Sequence, residues 1–443
     1  MIGYPERMPR STRRASYLDA LSTTGEKSKA ASVVFGVPHA ARNADSEYRY
    51  RPHSDLYYLT GWEDPEVAAL FLPDSDHPFV LFVQAKDRER ETWTGRREGV
   101  EGARERYGAD LAFPYSELAK RLPLLLAGYD TLHYAYGDQP EHDRLVFGAV
   151  NNARAALRNG LCLPWKIEHS RVLLGELRLH KDEAELSLLR RAAGITAEAH
   201  IAAMRTGVPG AFEYEVEAAI DHTFRRRGGT GAGYTTIVGG GANACILHYI
   251  QNRDVLAPGS LCLVDAGAEV DFYTADVTRT WPVSGKFTTP QRDVYTLVLA
   301  AQQAAIGCAT AGRPYRDMHD AAVRVLTEGM VELGLLDGDV DELIVEERYR
   351  KYYMHGTGHW LGLDVHDPGA YHVGLYSRAL AAGQVLTVEP GLYIPPDDDE
   401  APEALRGIGV RIEDDLLITA GLPEVLTSAC PKTIAEVEAA CAR

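Results

Sequence analysis

Asp265 and Asp276 bracket a short stretch that turns back on itself, and this pairing restricts the chain more than any other feature. The context is Leu-Cys-Leu-Val-Asp265-Ala-Gly-Ala-Glu-Val-Asp-Phe-Tyr-Thr-Ala-Asp276-Val-Thr-Arg. A two-residue hairpin turn at Val270-Asp271 sets the two carboxylates directly opposite each other. Opposed residues have Cβ atoms about 4.5–5.5 Å apart. Carboxylates that close repel unless a proton or a cation lies between them. His359, Glu389 and Glu413 follow in similar strand-like settings. A divalent cation is therefore the better answer, and the five side chains read as ligands for two metal ions. Singly, any of these acids can be read as a solvated charge, and for Asp265 alone that is the better reading. Together, flanked by apolar strand residues, they are costly without partners.

Four carboxylates and one imidazole make a hard, oxygen-rich set. It favours Mn2+ or Mg2+, with Co2+ and Zn2+ able to compete. Four negative charges against two dications leave a nearly neutral site that can hold a bridging hydroxide. Two metals roughly 3.5–4 Å apart lower the pKa of that water and clamp the attacking and polarised oxygens. The reaction class is hydrolysis of an amide or ester.

Three histidines, His355, His359 and His366, fall in one glycine-rich segment, Met-His-Gly-Thr-Gly-His-Trp-Leu-Gly-Leu-Asp-Val-His-Asp-Pro. The glycines argue against a helical two-histidine zinc motif. One imidazole suffices as a ligand; the other two can hydrogen-bond a substrate carbonyl or a tetrahedral intermediate. His248, in Cys-Ile-Leu-His-Tyr, reads equally as a core residue. Side chains alternate along a strand, so Arg411 and Glu413 share a face of the segment from Gly409 to Glu413. Arg411 either orients a ligand carboxylate or makes an ordinary cross-strand salt bridge. Glu389 precedes Pro390-Gly391, where a strand stops abruptly. Its second oxygen can carry a proton from the attacking water to the leaving nitrogen.

The rest of the chain sets the frame. With 443 residues there is room for two or three domains. A net charge of −17 argues against binding a nucleic-acid backbone, which needs a basic face. No run approaches the ~18 apolar residues of a membrane span, and the N-terminal Met-Ile-Gly-Tyr-Pro-Glu-Arg lacks the apolar core of a secretory signal. Six cysteines without CxxC spacing suit reduced thiols in a cytoplasm and make thiolate zinc sites improbable.

The first part reads as a small α/β domain. Ala31–Val37, Leu56–Leu59, Val67–Leu72 and Phe79–Val83 have strand composition, while Ser116–Ala127 and Glu141–Arg158 read as helices. A crossing segment from Pro164 to Leu177 puts the domain boundary near Gly175, giving residues 1–175 and 176–443. Asp182 with Glu185 then opens a long helix. Val216, Ile220 and Phe224 mark a second, which stops at Arg225-Arg-Arg-Gly-Gly. Strands ending in the Asp265/Asp276 hairpin follow. The order repeats through Thr289-Pro290, Arg316–Leu333 and the strands carrying His359, Glu389 and Glu413. Helix, helix and strands twice over predict a duplicated α/β unit with metals at the seam.

The blocks Val-Asp265-Ala-Gly, Thr-Ala-Asp276-Val-Thr-Arg-Thr, His355-Gly-Thr-Gly-His359, Val-Glu389-Pro-Gly and Arg411-Ile-Glu413-Asp resemble those of the pita-bread metallopeptidases, which include methionine aminopeptidase, prolidase and aminopeptidase P. The segments Arg42-Asn-Ala-Asp-Ser-Glu-Tyr and His53-Ser-Asp-Leu-Tyr-Tyr-Leu-Thr-Gly61 are similar to the N-terminal domain of the bacterial aminopeptidase P group. The resemblance implies an α/β N-terminal domain and an α+β pita-bread catalytic domain with pseudo-twofold halves. It implies that Asp265 chelates one metal, that Asp276 and Glu413 bridge both, that His359 binds the other, and that Glu389 binds it and manages protons. It implies that His248, His355, His366, Tyr393 and Arg411 line the substrate site, with His248 and His366 taking part in catalysis.

The activity implied is release of the residue before proline at a peptide N-terminus, by a dimer or tetramer. An X–Pro bond is a tertiary amide without an N–H, so a peptidase that binds that N–H is excluded while a polarised carbonyl and a ring pocket suffice. Prolidase-type dipeptide hydrolysis is the rival reading, and a non-catalytic binding module is another. Such a module has no need of all five ligands. The segment from His366 to Leu386 departs from the family pattern. Thr92-Trp93-Thr-Gly-Arg-Arg resembles a segment that family members present to a neighbouring subunit's active site; Trp93 reads equally as a packing aromatic.

Overall fold

A computed structural model describes residues 10–23, 29–160 and 162–442, without the side chains at 155, 156 and 159. The first seven residues, on which the lack of a secretory signal was read, lie outside the described residues. The chain divides into two compact units between Leu177 and Arg178, within the helix Arg171–Leu179. The break falls two residues beyond the expected boundary near Gly175.

The first unit is built on one mixed sheet. Its strand order is Leu111–Pro114, Phe79–Val83, Ala68–Phe71, Ala30–Phe35, Thr131–Tyr134 and Lys166–Glu168. The last of these lies in the segment expected only to cross between domains. Val33, Leu70, Val80, Phe82 and Leu132 pack with Leu118, Leu122 and Val146 from the covering helices. The expected strand at Leu56–Leu59 is instead a helix, Ser54–Thr60. All seven of its residues are buried, so the run shows no polar face, and a short apolar run does not distinguish helix from strand. Gly61 closes it at φ +74°, where its N–H donates to the Tyr57 carbonyl at 2.8 Å.

The second unit carries the expected helix pairs. Glu183–Thr206 starts with a reciprocal cap: Glu185 N–H donates to Asp182 Oδ1 at 2.9 Å, and Asp182 N–H donates to Glu185 Oε2 at 3.0 Å. Leu186, Leu189, Ala193 and Ala197 are buried along it. Glu213–Arg226 buries Val216, Ile220 and Phe224, and Gly228 follows at φ +89°. The second pair is Thr289–Cys308 and Arg316–Glu332; the latter buries Met318, Ala322, Leu326 and Met330 at four-residue spacing. Burying such stripes at about 25 cal/mol per Å² of apolar surface is the main force holding helices to sheets.

Between the helix pairs lie antiparallel strands. Leu261–Asp265 is flanked by Ile237–Gly240 and Thr278–Pro282. Val385–Val388 pairs with Asp414–Leu417, and Gly391–Tyr393 pairs with Gly409–Arg411. Strand runs are therefore interrupted at Glu389-Pro390 and again at Ile412-Glu413. Asp276 lies in a similar gap between Tyr273–Thr274 and Thr278–Pro282. Most of the candidate ligands thus sit where a ladder breaks and side chains are free to turn inward.

The Asp265/Asp276 hairpin differs from expectation in its register. Val270 pairs with Tyr273, so the turn is Asp271-Phe272, and both residues have positive φ (51° and 69°). That is the twist favoured for two-residue hairpins. Asp265 accordingly faces Thr278 rather than Asp276. A slip of two positions keeps the same face, because side chains alternate with period two. The two carboxylates are diagonal neighbours, not an opposed pair.

Candidate metal centre

Asp265, Asp276, His359, Glu389 and Glu413 all line one cavity of about 670 Å³ in the second unit, together with His248, His355, His366 and Arg411. Ligand atoms of Asp276, His359 and Glu413 lie within 4.8 Å of one another. His359 Nε2 stands 3.4 Å from Asp276 Oδ2 and 3.6 Å from Glu389 Oε1. Tyr234 spans the gap left by the shifted register: its hydroxyl is 2.6 Å from Asp265 Oδ1 and 2.5 Å from Asp276 Oδ1.

The backbone explains why these groups converge. His359 N–H donates to Thr387 Oγ1, Thr387 N–H donates to the His359 carbonyl, and Glu389 N–H donates to the Thr357 carbonyl. The glycine-rich segment is thereby laid along the strand that ends at Glu389. Gly358 is required there, because a Cβ would stand 2.0 Å from the Thr387 carbonyl oxygen. Glu413 N–H donates to the Thr278 carbonyl, tying the last ligand to the Asp276 segment. His359 Nδ1 lies 3.1 Å from the Trp360 carbonyl. In the neutral ring that binds metal, donation from Nδ1 leaves Nε2 as the lone-pair nitrogen facing the carboxylates.

Tyr393 lies one layer back. Its hydroxyl is 2.9 Å from His355 Nε2 and accepts from Arg411 Nη1 at 3.1 Å. Arg411 also donates from Nη2 to Asp265 Oδ2 at 2.7 Å and from Nε to Thr278 Oγ1 at 2.9 Å. Orienting contact and salt bridge are therefore one interaction. The strand carrying Arg411 stops there, yet Arg411 and Glu413 both still line the cavity. The His366 ring stacks on His359 at 3.9 Å between centroids.

Residues 187–420 match the model for metallopeptidase family M24, which spans more than half of the chain. The chain belongs to metallopeptidase family M24. Residues 11–134 match the aminopeptidase P N-terminal domain. An Xaa-Pro aminopeptidase of Escherichia coli is 44% identical over 411 residues, covering 92% of this chain and 93% of the relative. One of Haemophilus influenzae is 43% identical over 409 residues, covering 92% of each. Among solved structures, the Pseudomonas aeruginosa aminopeptidase PepP superposes with a TM-score of 0.94 at 44% identity, covering 98% of both chains. The fold is the pita-bread fold preceded by an α/β domain, as the sequence blocks implied.

The electrostatics suit the metal of an M24 peptidase. Burial, and then the neighbouring acids, raise Glu413 well above the usual carboxylate range and raise Asp276 as well. Glu389 is pushed up to about 7, with burial and Asp276 outweighing the pull of His359. Burial opposes protonation of His359, but Asp276 beside it prevails and lifts it to about 9. Acids and imidazole crowded this way hold protons for want of another cation. A divalent ion relieves the crowding directly, and oxygen donors with one imidazole are the ligands it takes. His355 and His366 behave oppositely: burial first, and then positive neighbours, lower each to about 4, so both are neutral near pH 7.

Several participants escaped the sequence reading. Tyr234 gave no local signal, because its contacts lie across strands. Thr278 was findable: two residues after Asp276 on a strand puts it on the same face, and its hydroxyl donates to Glu413 Oε2 at 2.7 Å. Asp415 accepts the Asp276 N–H at 3.2 Å. Trp93 lies on the helix Arg88–Thr94 of the first unit and is 85% exposed, so it does not pack in a core. The segment that departs from the family pattern contains a short hairpin, His372–Val373 with Tyr376–Ser377.

Proposed function

We propose that the chain is an aminopeptidase that removes the residue before proline from a peptide N-terminus, using two divalent ions, Mn2+ in its working form. The observation that carries this reading is the single cavity in which the five ligand-type side chains meet His248, His355 and His366. The E. coli and H. influenzae relatives bear the name Xaa-Pro aminopeptidase, and E. coli aminopeptidase P has been solved in complex with substrate at 42% identity. A Zn-substituted form of the same E. coli enzyme bears on metal choice. The oxygen-rich donor set here favours Mn2+ over Zn2+.

Asp265, Asp276, His359, Glu389 and Glu413 would hold the ions. Once bound, such ions would polarise the scissile carbonyl and lower the pKa of the attacking water. Glu389 takes the proton of that water on a carboxylate oxygen and returns it to the proline nitrogen. His248, His355 and His366 line the substrate cavity; a ring N–H of His248 or His366 can donate to the carbonyl oxygen as it gains charge. Arg411 orients Asp265, and Tyr393 holds His355 and Arg411 in register. None of these contacts needs an N–H on the scissile bond, which proline lacks.

The six cysteines are all free, which supports a reducing, cytoplasmic setting. The exposed Trp93, like the exposed Trp165, supports assembly as a homodimer or homotetramer, since aromatic side chains are enriched at subunit interfaces. Incubating the purified protein with Mn2+ and Ala-Pro-Ala tests the activity. Release of free alanine is expected; hydrolysis of Ala-Pro but not of Ala-Pro-Ala makes it a dipeptidase instead. Absence of hydrolysis with and without metal leaves only a binding module. Sedimentation velocity reads the subunit number, and a monomer rules out the assembly.

A further inference from the structure

His366 has neighbours but little to hold it: its ring stacks on His359 in a loop that forms neither helix nor strand. The next residue is held differently. Asp367 is 1% exposed at its side chain, and two buried cations converge on it. Arg178 Nη2 donates to Asp367 Oδ1 at 2.5 Å, and Lys181 Nζ donates to Asp367 Oδ2 at 3.0 Å. Arg178 also reaches Asp364 Oδ2 at 2.8 Å, and Lys181 Nζ donates to the Arg178 carbonyl at 2.7 Å. Asp364 N–H donates to Asp367 Oδ1 at 3.1 Å, and Asp367 N–H donates to the Trp360 carbonyl at 2.9 Å. Gly362 lies against the same carboxylate, where a Cβ would stand 2.7 Å from Oδ2. Both ends of the loop are thus fastened around one side chain.

We infer that Asp367, clamped by Arg178 and Lys181, is a positioning residue that fixes the His366 imidazole over the metal centre. Net stability is a poor account of such a cluster. Burying three charges costs desolvation that their attraction only about repays, and an apolar trio of the same volume often does as well. What the ions supply is a fixed place for the peptide joining residues 366 and 367. Misplacing a reacting group by about 1 Å can cost about 100-fold in rate. Arg178 and Lys181 stand far from the metal ligands in sequence, so local motifs around the site do not reveal them.

The role of His366 rests on the function proposed above; the geometry of its ring does not. Asp367→Asn and Lys181→Met are each made alone and combined with His366→Ala, all in the full-length Mn2+-loaded protein. On an Xaa-Pro tripeptide, each single variant is expected to lower kcat about 10- to 100-fold, with KM and bound metal unchanged. In the His366→Ala background neither change should lower kcat further. Equal losses in both backgrounds, or loss of metal, overturn the positioning role. Lys181→Met keeps Arg178 on Asp367 and so guards against Asp367→Asn failing to fold. If wild type cleaves no Xaa-Pro peptide, the function fails, but NMR of the ring nitrogens, with diamagnetic Mg2+ in place of Mn2+, still decides the inference. His366 signals that shift or broaden in the variants support it, and unchanged signals refute it.

Discussion

Thr278 donates its hydroxyl proton to Glu413 Oε2 at 2.7 Å while its own oxygen accepts from Arg411 Nε at 2.9 Å. This small side chain therefore sets the direction of one ligand carboxylate and is itself held by the guanidinium that holds another. Thr278→Val keeps the shape and deletes the bond. Removing such an outer partner typically costs about 10- to 100-fold in metal affinity. Calorimetric Mn2+ titration of the variant should show weaker binding by that factor, with an unchanged circular dichroism spectrum.

Asp276→Ala should abolish turnover and reduce bound metal, because Asp276 lies in the tightest ligand cluster with His359 and Glu413. Elemental analysis after gel filtration checks the metal. Near-normal activity with the metal absent refutes the ligand assignment. Tyr234→Phe removes the hydroxyl that touches both Asp265 and Asp276, so the same titration should register a smaller loss of affinity.

Metal stabilisation should grow with pH. Glu389 has its folded pKa raised from 4.5 to about 7, so the metal-free folded state binds more protons than the unfolded state across that window. Stability linked to this carboxyl therefore falls as pH rises from 4.5 to 7. Metal displaces the proton and reverses the effect. In a thermal melt, the gain in Tm from Mn2+ should be larger at pH 8 than at pH 5; an equal gain rejects the coupling.

His200 should make the fold acid-sensitive. It is fully buried, and burial, with Arg279 nearby, lowers its pKa from 6.5 to about 4. Between those values the unfolded state holds the extra proton, so stability is present above pH 6.5 and drains as pH falls towards 4. At most about 3 kcal/mol is at stake, since each tenfold change in proton affinity is worth about 1.4 kcal/mol. Urea unfolding at pH 7 and pH 5 should show a greater loss for wild type than for His200→Leu.

Much of this was legible locally. Helix starts at Asp182 and Thr289 follow from capping and proline, and the meeting of four acids and His359 in one cavity follows from polar side chains set among apolar strand-like residues. What was not legible depends on distant partners. The Leu56–Leu59 segment looks like a strand until its burial on all sides is seen. The hairpin register turns on whether Asp271-Phe272 can take positive φ, which composition does not announce. Tyr234, Asp415 and the Arg178–Lys181–Asp367 cluster act across long sequence separations, where no periodicity carries a signal.

The candidate ligands come from strand ends scattered from Asp265 to Glu413, and no short fragment contains them all. Coordination therefore requires both halves of the second unit to be folded and docked at once. Anything that binds only the folded form stabilises it by RT ln(1 + [L]/Kd), about 2.7 kcal/mol at one hundred times Kd. The concentration of free divalent ion thus enters the unfolding equilibrium as surely as temperature does, and chelation makes the molecule easier to unfold as well as inactive.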